Sequence, residues 1–278
     1  MFNGLKIFGS GPAVYITPEK IFTIHGISIT NSIFYGWIAG IILLVVFILV
    51  ARRITVRPKG GLIQFVEVGV TYMSNLVESS FEDPERGAKY VPYFVSLFFF
   101  LLFNNWLGLL PGVGEAFQSH GNPLFRSFTG DLNATLAVGI VTMGLVYVAS
   151  IKEAGLKDYL KHFFVGNPLN PMYLFLGMIE MTTDFTRVIS LSIRLFLNVT
   201  IGEIVIAVFA YLGSFFAPLT AAPFTLIELF VGALQAYIFV ILSVMYLAIA
   251  VNHATANHDQ DLTDESVPET MRLQSEKA

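Results

Sequence analysis

Residues 172–213 read MYLFLGMIEMTTDFTRVISLSIRLFLNVTIGEIVIAVFAYLG, and residues 217–254 read APLTAAPFTLIELFVGALQAYIFVILSVMYLAIAVNHA. Gly213-Ser214 and Pro218 part the two runs. At 1.5 Å per residue the first would make a helix about 63 Å long and the second about 57 Å. Either is about twice the ~30 Å core of a bilayer. An ordinary tilt of about 20° does not absorb that excess. The runs are therefore either broken helices or a steeply tilted hairpin. The nearby prolines cluster at the start and the apex of the segment, which favours the hairpin.

The rest of the chain fits a protein that lives in lipid. Of 278 residues, 55% are hydrophobic with Gly left out and 13% are charged, where soluble domains carry about 25% charged residues. Blocks free of Asp, Glu, Lys and Arg cover 21–51, 90–114, 132–151, 162–179, 204–227 and 229–258. The composition excludes a soluble enzyme, a nucleic-acid binder and a disordered chain. With no Cys, disulfides, thiolate metal sites and cysteine nucleophiles are excluded as well.

The expected class is an all-α membrane protein of about five transmembrane helices and one interfacial amphipathic helix, ending in the tilted hairpin. Residues 1–30 form an outer segment, which lacks the basic and apolar pattern of a cleaved signal. Residues 31–51 are the first span, followed at once by Arg52, Arg53, Arg57 and Lys59. Residues 61–81 carry Glu67 and Glu78 among apolar residues and read as a helix lying at the interface. EDPERGAKY (82–90) reads as a turn. Residues 91–151 hold the second and third spans (91–110 and 133–151), joined by an outer loop whose single basic residue is Arg126. The hairpin occupies 172–254, and a polar cytoplasmic tail follows over 255–278. Eleven Lys and Arg then lie in cytoplasmic segments against Lys6, Lys20 and Arg126 outside. That bias places the N-terminus outside and the C-terminus in the cytoplasm. No internal repeat is present.

Six charged residues fall inside the hairpin: Glu180, Asp184, Arg187, Arg194, Glu203 and Glu228. Each costs about 2.5–3.5 kcal/mol at the centre of an isolated membrane helix, so each is a functional candidate. At 100° per residue, Glu180, Thr183, Arg187, Ser190, Arg194 and Asn198 share one stripe, which needs water or a polar partner along its length. Arg187 can be internal glue, paired with Asp184 or Glu180. Arg194 has no acid on its own face within two turns, and Glu203 points away from it. Because a guanidinium does not deprotonate, Arg194 calls for a carboxylate from another helix or another chain. Glu228 and Gln235 share a face of the second arm, and Gln235 falls opposite Asn198 and Arg194. Gln235 alone would read as an interhelical hydrogen bond. Glu203 and Glu228 lie in the outer part of the hairpin, where two carboxylates can share a proton or line a wet inlet.

The stretches SLSIRLFLNVTIGE (190–203) and LQAYIFVILSVMYL (234–247), with PEKIFTIHGISITNS, NNWLGLLPG and DLNATLA upstream, resemble subunit a of the F-type ATP synthase. The resemblance covers nearly the whole chain. It implies a non-catalytic, proton-translocating stator subunit beside the rotating c-ring, with two half-channels. Arg194 takes the place of the family's essential arginine, the barrier between channels and the partner of the ring carboxylate. Asn198, Glu203 and Gln235 match positions associated with it. Glu180, Thr183, Thr186 and Ser190 match the cytoplasmic-side channel, and Glu228 matches an outer-channel position that often holds His. Two departures stand out: Leu197 where a small residue is usual, and Glu at both 203 and 228. The implied partners are the c-ring, the subunit b peripheral stalk and the lipid bilayer, with one copy per complex in a bacterial plasma membrane, no nucleic acid, no cofactor and no metal. The rival reading is a stand-alone ion-coupled secondary transporter, which would favour inverted repeats and helices broken at the midplane. A multi-pass membrane enzyme lacks a nucleophile–base pair or metal cluster here.

Overall fold

A computed structural model of the chain describes residues 18, 20–24, 27–53, 61–110, 118–119, 122–123, 126–154 and 171–266. A small antiparallel pair, β1 (Lys20–Ile24) and β2 (Ile27–Thr30), leads directly into helix α1 (Asn31–Arg53). Then come α2 (Gly61–Ser79), α3 (Pro84–Ala88) and α4 (Val91–Gly108). A two-residue pair, β3 (Gln118–Ser119) with β4 (Asn122–Pro123), precedes α5 (Leu132–Ala154). The chain ends in α6 (Pro171–Gly213), a 3₁₀ turn at Ser214–Phe216, and α7 (Ala217–Ser266). Residues 1–17, most of 111–125, residues 155–170 and those beyond 266 lie outside the described residues.

Two expectations change. EDPERGAKY is not a plain turn, because its middle winds into α3. Asp83 caps that helix by accepting from the Glu85 amide at 3.0 Å, and Pro84 follows with its φ already helical. The second hairpin arm also does not stop near 254: α7 continues as helix to Ser266, since no Gly or Pro stands between Ala254 and Pro268.

Among the described residues, four apolar stretches are long enough to cross a membrane: 31–52, 91–108, 132–152 and a 68-residue stretch, 185–252, that takes in most of both hairpin arms. The outside of these helices is as apolar as the inside. Trp37, Ile41 and Leu44 are exposed on α1, and Ile140 and Val141 on α5. A helix that is hydrophobic all round is solvated by lipid when it is not covered by protein. This is a multi-pass, all-α membrane protein.

The hairpin is the spine, and α4 and α5 pack against it. Its arms meet through Leu191, Leu195, Phe239, Val240, Val244 and Leu247, all buried. From α4, Asn105 donates to the Gly232 carbonyl at 2.9 Å and Trp106 to the Leu229 carbonyl at 3.1 Å. Those donors come from the NNWLG run, and they seat α4 on the half of α7 nearer the hairpin apex. On α5, a Cβ at Gly139 would fall on the Ser192 hydroxyl, so glycine there lets α5 reach the α6 surface. Tyr35 of α1 donates to the Leu107 carbonyl at 2.8 Å.

The hairpin's register is pinned along its length. Near the apex, Thr220 donates to the Phe209 carbonyl at 2.9 Å, and the Phe209 and Phe224 rings stack at 3.7 Å. Further in, the Glu228 carboxyl lies against Gly202. At the other end, the Arg187 guanidinium sits 3.9 Å over the Tyr246 ring.

Candidate functional site

Helix α6 has two faces. Leu191, Ser192, Leu195 and Val199 are buried, at the i, i+4 spacing that keeps one side of a helix on its neighbours. Ser190, Ile193, Arg194, Leu197 and Ile201 are exposed on the other side. Arg194 thus stands on an uncovered apolar face, near the middle of α6. Among the described residues it makes no ion pair and no hydrogen bond.

The rest of the expected stripe, with Thr186, is only partly uncovered. Thr183, Thr186 and Ser190 are exposed, with the Thr183 hydroxyl donating to the Ile179 carbonyl and the Thr186 hydroxyl to the Thr183 carbonyl, each at 2.8 Å. Arg187 is half-buried and turned onto Tyr246 of α7, and Asn198 is half-buried. The stripe crosses the seam because α7 packs along one edge of it. Glu180 and Asp184 lie on α6, but their side chains are outside the described residues.

By the register, Gln235 is level with Asn198. Gln235 is buried, and its Nε2 and the Asn198 Nδ2 are both without a hydrogen-bond partner. No hydrogen bond joins Gln235 to Asn198 or Arg194. Two buried amide nitrogens on facing helices leave polar demand inside the hairpin, and such groups are costly to leave unpaired.

Glu203 points the other way from Arg194, as the helical angle requires, into the bundle near the hairpin apex. A Cβ at Gly130 would be 3.4 Å from one Glu203 oxygen and 3.5 Å from the other, and one at Gly108 would be 3.9 Å from the first. Glu228 reaches the same end from α7. A Cβ at Gly202 would land on its carboxyl group, so only glycine lets that side chain lie across the α6 backbone.

The sequence reading passed over a further group. Arg126, counted there only as a loop charge, is 5% exposed and donates to the Gly130 carbonyl at 2.9 Å. Asp131 is buried beside it. Its carboxylate accepts from the Ser32 hydroxyl of α1 at 2.5 Å and from the Asn133 amide at 3.0 Å. Burial pulls the Arg126 guanidinium down from its ordinary pKa, and the Glu203 and Asp131 carboxylates push it back up. The signal available in the sequence was a lone Arg beside the small polar run SFTGD. Among the described residues no group of three or more His, Cys, Asp or Glu is placed to hold a metal ion.

Taken together, the hairpin presents a bare cation on one outer face and a pair of acids on the other side, nearer the apex. That arrangement can hold an external carboxylate at one place and admit protons at another. Comparisons with known proteins agree with the earlier resemblance. A family model described as ATP synthase A chain matches residues 33–248. The chain is 33% identical over 252 residues to ATP synthase subunit a 2 of Prosthecochloris aestuarii, covering 85% of this chain and 72% of that protein. It is also 33% identical over 240 residues to ATP synthase subunit a of Syntrophobacter fumaroxidans, covering 86% and 92%.

Proposed function

This chain belongs to the ATP synthase A chain family, a membrane-sector component of the ATP synthase, and from that membership we propose that it is the proton-conducting stator against which a c-ring turns. The observation that carries the reading is Arg194, a permanent charge on the exposed apolar face of α6 with no ion pair or hydrogen bond among the described residues. A ring helix bearing a carboxylate covers that face. One copy sits beside the ring, with the subunit b stalk as a second neighbour, in a bacterial plasma membrane with the N-terminus outside. The amphipathic α2 lies at the cytoplasmic interface.

Protons enter from outside through the end of the hairpin that holds Glu203 and Glu228, and pass to the ring carboxylate. Neutral, that carboxyl can face lipid; ionised, it cannot, at a cost of several kcal/mol. The ring therefore carries it round to the inner half-channel, lined by Glu180, Thr183, Thr186 and Ser190, where it ionises. Arg194 then attracts the carboxylate and lowers its pKa, and its fixed charge keeps protons from running straight between the channels. Asn198 and Gln235 offer polar atoms beside it. Each proton crossing 100 mV delivers about 2.3 kcal/mol, so several are needed per ATP. A stand-alone secondary transporter is less well supported, because α6 runs unbroken for 43 residues where such folds break their helices at the midplane.

The test is Arg194→Ala in the assembled complex. Proton-driven ATP synthesis is expected to vanish while the complex still assembles. Arg194→Lys should also fail largely, because a desolvated ammonium can lose its proton and lacks the planar fork. Wild-type synthesis in either variant would end the barrier assignment.

A further inference from the structure

The loop over 126–131 is buried, which is unusual for a connection that ordinarily runs over the surface. Ser127 and Thr129 are fully covered, their hydroxyls 3.1 Å apart, and Arg126 and Asp131 are nearly so. The backbone closes on itself: the Gly130 amide donates to the Ser127 carbonyl at 3.2 Å, and the Asp131 amide to the Phe128 carbonyl at 3.3 Å. One side of Gly130 holds the Arg126 guanidinium through its carbonyl. The other side faces both oxygens of Glu203.

Building on the reading of Glu203 as an inlet carboxylate, we propose that Arg126 is a positioning residue of the outer half-channel, shared between Asp131 and Glu203, and that this sharing sets the outer pH at which Glu203 takes up a proton. A buried guanidinium needs carboxylate company to offset its desolvation, and these two acids supply it. When Glu203 is ionised, Arg126 leans on it. When a proton from outer water forms the O–H bond on Glu203, Asp131 keeps the cation neutralised, so protonation strands no charge. When that proton leaves for the ring, the Glu203 carboxylate regains Arg126.

The groups facing Glu203 are few among the described residues. The loop supplies Arg126, α7 supplies Glu228, and Gly130 and Gly108 lie against the Glu203 oxygens, while Asp131, which accepts from Ser32, acts on Arg126. Asp131 is fixed in place by Ser32 and by its cap on α5. Arg126, by contrast, reaches the site on a long side chain from a loop. The cation, held at the Gly130 carbonyl, is therefore the member shared by the two carboxylates.

The experiment measures ATP synthesis against outer pH in membranes carrying the whole complex. Nearby opposite charge lowers a carboxyl pKa by about 1–3 units, so Arg126→Gln should move the midpoint of that profile up by about one unit or more. Asp131→Asn, which keeps the cap acceptor but frees Arg126 for Glu203, should move it down. Arg126→Lys should keep the wild-type midpoint. In a Glu203→Gln background, Arg126→Gln should shift nothing further. An unmoved midpoint in an assembled Arg126→Gln complex, or a shift that persists without the Glu203 carboxyl, overturns the proposal. Should Arg126→Gln fail to assemble, the sign of the Asp131→Asn shift decides it. Glu203→Gln with wild-type synthesis would instead remove the inlet reading itself, and this proposal with it.

Discussion

Gly202→Ala tests the packing that brings the two outer acids together. A Cβ at 202 would fall on the carboxyl carbon and both oxygens of Glu228, well inside the 3.4 Å at which ordinary contact begins. The side chain must swing away or the helices must part. Overpacking of this kind costs about 1–3 kcal/mol, against about 1 kcal/mol gained when Ala replaces Gly in a helix. The net is a loss of up to about 2 kcal/mol. A displacement of about 1 Å can slow a positioned transfer by about 10²-fold, so proton uptake should fall by more than the stability does. Gly144 is the internal control: nothing lies within 4 Å of a Cβ there, so Gly144→Ala should be neutral or stabilising. The assays are thermal unfolding of the purified complex and ATP-driven proton pumping in inverted vesicles. Combined with Glu228→Ala, Gly202→Ala should lose its stability penalty while pumping stays low, because the clash partner is gone. An unchanged penalty in that double variant would refute the reasoning.

Tyr246→Leu removes the ring under Arg187 and should cost about 0.5–2 kcal/mol, while Tyr246→Phe should behave as wild type in thermal unfolding; equal losses would dismiss the cation–π contact. Ser32→Ala deletes a buried donor to a carboxylate, so it should destabilise the complex by about 1.5–3 kcal/mol, read by thermal unfolding, with no effect meaning that Asp131 is held otherwise. Asp83→Ala should cost about 0.5–2 kcal/mol and raise amide exchange in α3 alone, leaving proton pumping intact; a pumping defect would give that short helix a part in proton transfer.

The hairpin was legible because its signals are local. Long apolar runs and prolines at two places placed the first arm at 172–213, and the helix spans Pro171–Gly213. The angular arithmetic that set Glu203 opposite Arg194 also needs only the helical repeat, and it matches one side chain turned in and one turned out. Arg126 was not legible. Its burial depends on Gly130, on Glu203 from another helix and on Ser32, which meets Asp131 from 99 residues away in the chain. Those distances in sequence leave no period to read. The overrun of α7 to Ser266 was missed for a different reason: polarity marks the end of a membrane span, but only a breaker marks the end of a helix.

The pinned register of the hairpin has a mechanical meaning. Phe209 and Arg187 are 22 residues apart on α6, about 33 Å of helix, and each end is fastened to α7 by a different kind of bond. Sliding one arm past the other by a single turn would have to unfasten both ends at once and drag Glu228 off Gly202. The pair therefore acts as a clamped beam rather than two rods in oil. A load applied anywhere along its outer face is spread to both fastenings, so if the ring proposed above turns against that face, its thrust goes into rotation and not into shearing the support.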